Sequence, residues 1–280
     1  MPFGVNLFLW TAGYTDNEVG LVIKVKELGF DVVEIPLDFL DAISVEKTKK
    51  ALEETGLQVI GCAVVGAHRD LISESAEIRK EALTYFSRCL KLIASWGGTV
   101  LCGPMYSAVG KLTGTARTIE EWKRAVSGLK ELAKMAEDLG VKMALEPLNR
   151  FETYFLNTAE DAVALVQEVG SPAVGIHLDT FHMNVEEKSL YRAIKTAGPS
   201  LYHVHTCEND RGTPGEGHVE WDEVFKALRE VNYQGALVIE SFVPGVKEIA
   251  RAASIWRELA PGSDYIAARG LAFLQKNWQK

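Results

Sequence analysis

No basic residue precedes Lys24 in this 280-residue chain. The start, Met1-Pro-Phe-Gly-Val-Asn-Leu-Phe-Leu-Trp10, therefore lacks the charged n-region of a secretory signal. Long hydrophobic runs are missing too. The longest, Val59 to Ala67, falls far short of the roughly 18 residues that a membrane-spanning helix needs. Cysteine is sparse: Cys62, Cys89, Cys102 and Cys207 are widely spaced and form no C-x-x-C pair. That usage reads as buried thiols in a reduced, cytoplasmic protein. Basic residues are outnumbered, 30 against 38 acidic, for a formal charge of −8. Duplex binding draws its affinity from clustered Lys and Arg, so nucleic acid is not an expected partner, nor is a membrane surface. Linkers rich in Pro, Ser or Gly and low-complexity tracts are also absent, which leaves one domain over residues 1–280.

What is present is an alternation of two periods. Ile119, Trp122, Val126, Leu129, Leu132, Ala136 and Leu139 recur at steps of three and four. Thr118 and Glu121 open that helix as a capping box, and Gly140 stands where it should stop. Trp221, Val224, Phe225, Leu228 and Val231 form a second stripe. Ala162, Leu165, Val166 and Val169 form a third, opened by Thr158, and Ile78 through Trp96 reads as a long helix ended by Gly97-Gly98. Between the helices lie short apolar runs near Phe3–Trp10, Val32–Leu37, Leu57–Gly66, Thr99–Gly103, Val141–Pro147, Ala173–Asp179, Leu201–Thr206 and Ala236–Ser241. Near-continuous apolar strands suit a parallel sheet covered on both faces. Eight strand–helix units predict an α/β fold, the (β/α)8 TIM barrel, with an extra C-terminal helix from about Asp264 to Lys280. An open doubly wound sheet is the alternative, but no G-x-G-x-x-G follows the first strand.

Residues two apart on a strand share a face. Val141-Lys-Met-Ala-Leu-Glu146 turns Ala144 and Glu146 inward and Met143 and Leu145 toward the helices. The same alternation turns His177 and Asp179 inward, then His203 and His205, then Glu240. Four consecutive strands thus end in Glu146, Asp179, His205 and Glu240, at the carboxyl face where barrel enzymes keep their active sites. A lone strand-ending glutamate is usually a solvated loop residue. Four at one relative position point instead to a shared task. Three converging carboxylates repel unless a cation neutralises them. One imidazole with three carboxylates suits Mn²⁺, Mg²⁺ or Co²⁺ better than zinc. His177 and His203, one layer deeper, read as core or supporting groups. Glu34 reads as a structural hydrogen-bonding residue, and Cys207 as a passive neighbour.

Ala144-Leu-Glu-Pro-Leu-Asn-Arg-Phe-Glu152, His177-Leu-Asp-Thr-Phe-His-Met-Asn184 with Glu186, His203-Val-His205 with Arg211, and Ile239-Glu-Ser-Phe242 closely resemble the ketose 3-epimerases. These are the D-tagatose, D-psicose (allulose) and L-ribulose 3-epimerases of the xylose-isomerase-like TIM-barrel superfamily. The resemblance runs over nearly the whole chain. It implies that Glu146, Asp179, His205 and Glu240 hold one divalent ion per subunit, Mn²⁺ first among candidates. It implies that Glu146 and Glu240 exchange the proton, and that Glu152, His182, Arg211 and Phe242 bind the sugar. It also implies a homodimer or homotetramer. The chain departs from the family pattern at Asn6, where relatives tend to carry an aromatic near the sugar's far end, and at Pro147. It departs again in the loop Gly66-Ala-His-Arg69 and in Gly103–Ala108, which lacks a tryptophan.

The expected reaction is epimerisation of free ketoses at C3 through a cis-enediolate, with the metal as Lewis acid and one carboxylate on each face of the carbon. The rival on the same scaffold is an aldose–ketose isomerase of the hydroxypyruvate or inosose type. A DNA-repair nuclease of the endonuclease IV kind would need many more histidines than the six present, and a basic face. A non-catalytic sugar-binding module has no use for both glutamates. A phosphorylated substrate would call for a Gly-rich cradle after strands seven and eight, and none is seen.

Overall fold

The computed structural model describes residues 1–279. Its elements run β1 (Phe3–Asn6), α1 (Gly20–Glu27), β2 (Val32–Pro36), α2 (Val45–Thr55), β3 (Gln58–Cys62), α3 (Ala76–Ser95), β4 (Val100–Gly103) and α4 (Ile119–Leu139). They continue with β5 (Lys142–Leu145), α5 (Ala159–Val169), β6 (Val174–Asp179), α6 (Thr180–Glu186), α7 (Leu190–Ala197), β7 (Leu201–Thr206), α8 (Trp221–Glu230), β8 (Leu237–Ile239), α9 (Lys247–Ala252) and α10 (Ser263–Trp278). The eight strands pair in parallel and in sequence order. The ring closes where Phe3 meets Leu237 and Val5 meets Ile239. This is the TIM barrel that the alternating periods predict.

The inward and outward faces divide as the alternation requires. Met143, Leu145, Ile176, Leu178 and Val204 belong to the large apolar layer between barrel and helices. Ala144, Cys102, Ile60, Val32 and Val238 form a separate cluster inside the barrel. Local signals set the helix ends. Thr118 and Glu121 make the capping box, and Gly140 ends α4 in the left-handed conformation, φ 67°. The side chains of Ser44, Ser75 and Thr158 cap α2, α3 and α5 by accepting a backbone N–H of the first turn.

Three features differ from the apolar pattern. β1 stops at Asn6 rather than Trp10, because the Asn6 side chain accepts the Phe8 N–H at 2.8 Å and turns Leu7–Leu9 into a 3₁₀ turn. β3 stops at Cys62, and its apolar continuation Ala63–Val65 packs under the rim as loop; Val65 O accepts from Val109 N. Ile119 opens α4 but is 63% exposed, so it is not part of the buried stripe. The C-terminal helix is no loose tail. It buries Ile266, Ala267, Leu271 and Leu274, and it packs across β8 and β1, where the barrel closes.

Candidate active site

β5 to β8 deliver four side chains to the carboxyl end of the barrel. Each has one atom tied to the protein and another turned to a common point. Asp179 caps α6: its Oδ1 accepts the Phe181 N–H at 2.6 Å, which leaves Oδ2 facing the centre. Glu240 Oε1 accepts from Asn6 Nδ2 at 3.3 Å, and Oε2 faces the centre. The Glu146 backbone is pinned by Gly103 O and by the Tyr106 hydroxyl, which donates to Glu146 O at 2.8 Å. His205 Nε2 contacts Glu34 Oε1 at 2.7 Å, which turns Nδ1 inward. From Nδ1 the distances are 3.8 Å to Glu146 Oε1, 3.7 Å to Asp179 Oδ2 and 3.3 Å to Glu240 Oε2.

Two of these atoms, Glu146 Oε1 and His205 Nδ1, are buried without a hydrogen-bond partner among the described residues. Buried polar atoms are rarely left so. All four residues offer donor atoms within 4.8 Å of one another. An imidazole held by a carboxylate on its far nitrogen is the usual support of a metal-facing histidine. The donor set therefore fits a divalent cation of the hard-to-borderline kind.

The charge balance supports the same reading. Burial pushes Glu146 well above the usual carboxylate range, with Glu240 and Asp179 adding to the push against the His205 charge. Burial also works against an ionised Asp179, but Arg211 overrides it and holds Asp179 well below its usual value. His205 is raised despite burial, because Glu34 and Glu240 surround it. In this structure the protein neutralises its own cluster. Arg211 Nη1 donates to Asp179 Oδ2 at 2.7 Å and to Glu240 Oε2 at 2.9 Å. Arg211 pays for that reach with a left-handed backbone, φ 67°, rare outside glycine. Phe181 and Phe242 sandwich its guanidinium at 4.3 and 4.8 Å.

His182 is neutral, pushed down to about 3 by burial and by the Arg211 charge. The backbone N–H of Asn149 lies 3.0 Å from its Nδ1 and holds the ring in place. Arg211 Nη2 lies 2.9 Å from the other ring nitrogen, Nε2. Both groups border a cavity of about 240 Å³ that opens over the cluster, lined by Phe8, Val64, Pro104, Glu152, His182 and Phe242 among others. Larger hollows lie at the amino end of the strands; one of about 520 Å³, lined by Thr99, Lys142, Gly198 and Tyr202, contains none of the expected site residues.

The chain matches the xylose isomerase-like TIM barrel family over residues 22–274. It is 36% identical to the ketose 3-epimerase of Arthrobacter globiformis over 98% of this chain and 96% of that one. It is 35% identical to the D-psicose 3-epimerase of Ruminiclostridium cellulolyticum, over 94% of this chain and 92% of that one. The chain belongs to the ketose 3-epimerases of this barrel family. It is an isomerase. The crystal structure of D-allulose 3-epimerase from Methylomonas sp. in complex with D-allulose superposes with a TM-score of 0.94 at 29% identity, covering 99% of this chain and 97% of that one.

All eight residues singled out in the sequence of the enzyme lie together. Glu146, Asp179, His205 and Glu240 form the cluster; Glu152, His182, Arg211 and Phe242 line the cavity above it. Asn6 does not lie at a far end of that cavity. It is buried beneath, donating to Glu34 Oε1 at 2.6 Å and to Glu240. Glu34 is the hub under the site, with His203 Nε2 and His205 Nε2 each at 2.7 Å. Burial opposes its charge, yet the two imidazoles hold its carboxyl well below the usual range. His177 packs edge-on against His203 and His205, and burial keeps it neutral. Cys207 is more than a bystander: its thiol donates to Asp179 Oδ1 at 3.4 Å. The pattern gave no sign of Asn149's hold on His182, or of Asp38 in the cavity wall.

Proposed function

We propose that the enzyme epimerises free ketoses at C3, of the D-fructose/D-allulose, D-tagatose/D-sorbose or L-ribulose type, through a cis-enediolate. The observation that carries this reading is the convergence of Glu146 Oε1, Asp179 Oδ2, His205 Nδ1 and Glu240 Oε2 beneath a small cavity. The names of the relatives support the substrate class. Glu146, Asp179, His205 and Glu240 would hold one divalent ion, with Mn²⁺ preferred over Mg²⁺ or Co²⁺. When bound, that ion supplies a Lewis acid that polarises the ketose carbonyl and steadies the enediolate.

Glu146 and Glu240 do the proton work. They come from β5 and β8, across the cluster from each other, so one carboxylate removes the C3 proton and the other returns a proton on the opposite face. Either epimer then serves as substrate. His182 and Arg211, 2.9 Å apart at the edge of the cavity, would grip the same end of the sugar. Glu152, held by Asn149 Nδ2 at 2.8 Å, accepts from a substrate hydroxyl. Phe242 walls the pocket and excludes water. A cytoplasmic, homodimeric or homotetrameric enzyme belongs to the same reading; four buried free cysteines fit a reducing compartment.

The test is product analysis. Enzyme loaded with Mn²⁺ is incubated with fructose, allulose, tagatose, sorbose and ribulose, and the mixtures are separated by chromatography. C3-epimer pairs are expected, with activity lost to a chelator and restored by Mn²⁺. Aldose products alone would replace this reading with that of an aldose–ketose isomerase.

A further inference from the structure

The wall of the cavity opposite the donor cluster is almost wholly apolar. It is built by the loops after β1 to β4, with Phe8, Ala12, Val64, Pro104 and Val109. One charged side chain interrupts it among the described residues: Asp38, two residues past the end of β2. Its Oδ2 is buried and has no hydrogen-bond partner among the described residues. Burial pushes the Asp38 carboxyl up to about 6, against the pull of its own backbone N–H and of the Arg69 charge. The Arg69 guanidinium stacks on the Tyr85 ring at 4.3 Å. Asp38 is thus a carboxyl side chain on an apolar wall, with one oxygen, Oδ2, enclosed and without a protein donor among the described residues. A few placed polar groups on such a wall are what orient a small ligand.

Topology says which part of the ligand it meets. The cluster stands on β5 to β8, and Glu152, His182 and Arg211 stand on the same side. A ketose gripped there at its reacting carbons extends its remaining carbons toward β1 to β4. We propose that Asp38 accepts a hydrogen bond from a C5 or C6 hydroxyl of the ketose and selects substrates that carry it. The inference rests on the epimerase reading above. It makes Asp38 a specificity residue, remote from the proton transfer. It also gives the Gly66–Arg69 loop a part: Arg69, anchored on Tyr85, lends Asp38 positive potential.

The test compares the best-converted ketose with its 5-deoxy and 6-deoxy analogues, in Mn²⁺-loaded native enzyme and in Asp38→Ala and Asp38→Asn. A site that hydrogen-bonds a substrate hydroxyl through a charged acceptor discriminates against the analogue lacking it by roughly tenfold or more. The native enzyme should show that ratio in kcat/KM for one of the two analogues. Asp38→Ala should bring it near one, mainly through a higher KM for the parent ketose. Asp38→Asn keeps the shape and an acceptor oxygen, and should fall between, which guards against a folding defect in the alanine variant. Two results overturn the inference while leaving the epimerase reading intact: no discrimination by the native enzyme, or an unchanged ratio in Asp38→Ala with ketose conversion retained. A native enzyme that converts no ketose at all defeats both.

Discussion

Replacing Glu34 by Gln probes the support of the site without touching its upper face. Glu34 is fully buried and gathers four groups: Asn6 Nδ2 at 2.6 Å, His205 Nε2 at 2.7 Å, His203 Nε2 at 2.7 Å and the Cys102 thiol at 3.4 Å. Gln has the same shape, so no cavity forms. It loses the negative charge, and one oxygen becomes an NH₂ donor. Wherever that NH₂ points, it faces at least one N–H. Breaking one partner of a buried charged pair costs about 3–5 kcal/mol. The lower figure is expected, because the unpartnered Nδ1 of His203 lets that ring switch tautomer. A loss of about 3 kcal/mol leaves a domain of ordinary stability folded. The second consequence is sharper. Glu34 turns His205 Nδ1 toward the cluster, so its loss should weaken Mn²⁺ binding about 10- to 100-fold. Urea unfolding measures the first effect and calorimetric Mn²⁺ titration the second. A folded Glu34→Gln variant that binds Mn²⁺ within twofold of the native protein would refute the role given to this contact.

Other consequences can be checked separately. Glu146→Gln and Glu240→Gln should each lower kcat by at least about a thousandfold while the far-ultraviolet circular dichroism stays native; near-normal turnover in either would break the two-carboxylate scheme. Asp38 has a pKa raised from 3.8 to about 6, so its contribution to stability is full below pH 4 and is lost as pH rises through 6. That loss is at most about 3 kcal/mol, and Asp38→Asn should therefore be the more stable protein by urea unfolding at pH 8 and no more stable at pH 3.5. Ile266→Ala, in the face of α10 that covers the barrel closure, should cost about 2–4 kcal/mol by the same method, since Ile266 is fully buried.

The barrel and its four donors were legible because both rest on short-range rules. Alternation with period two separates Glu146 from Leu145 and Asp179 from Leu178, and caps such as Thr118 and Gly140 mark helix ends. What was not legible depends on contacts across the fold. A single Asx turn at Asn6 ends β1, although hydrophobicity runs on to Trp10. Asn149 positions the ring of His182 through a backbone amide 33 residues away in sequence. Arg211 reaches the cluster through a left-handed backbone that its residue type does not advertise. Asp38 looks like any loop aspartate until the barrel closes and leaves it on an apolar wall with Oδ2 unpartnered among the described residues.

Solvent-isotope incorporation tests the proton-transfer scheme most directly. Mn²⁺-loaded enzyme is incubated with a ketose substrate in D₂O, and both sugars are recovered and read by NMR. Two carboxylates acting on opposite faces of C3 predict deuterium at C3 of the product epimer, and none at C1. Deuterium at C1, or inversion at C3 with the original proton retained, would contradict it.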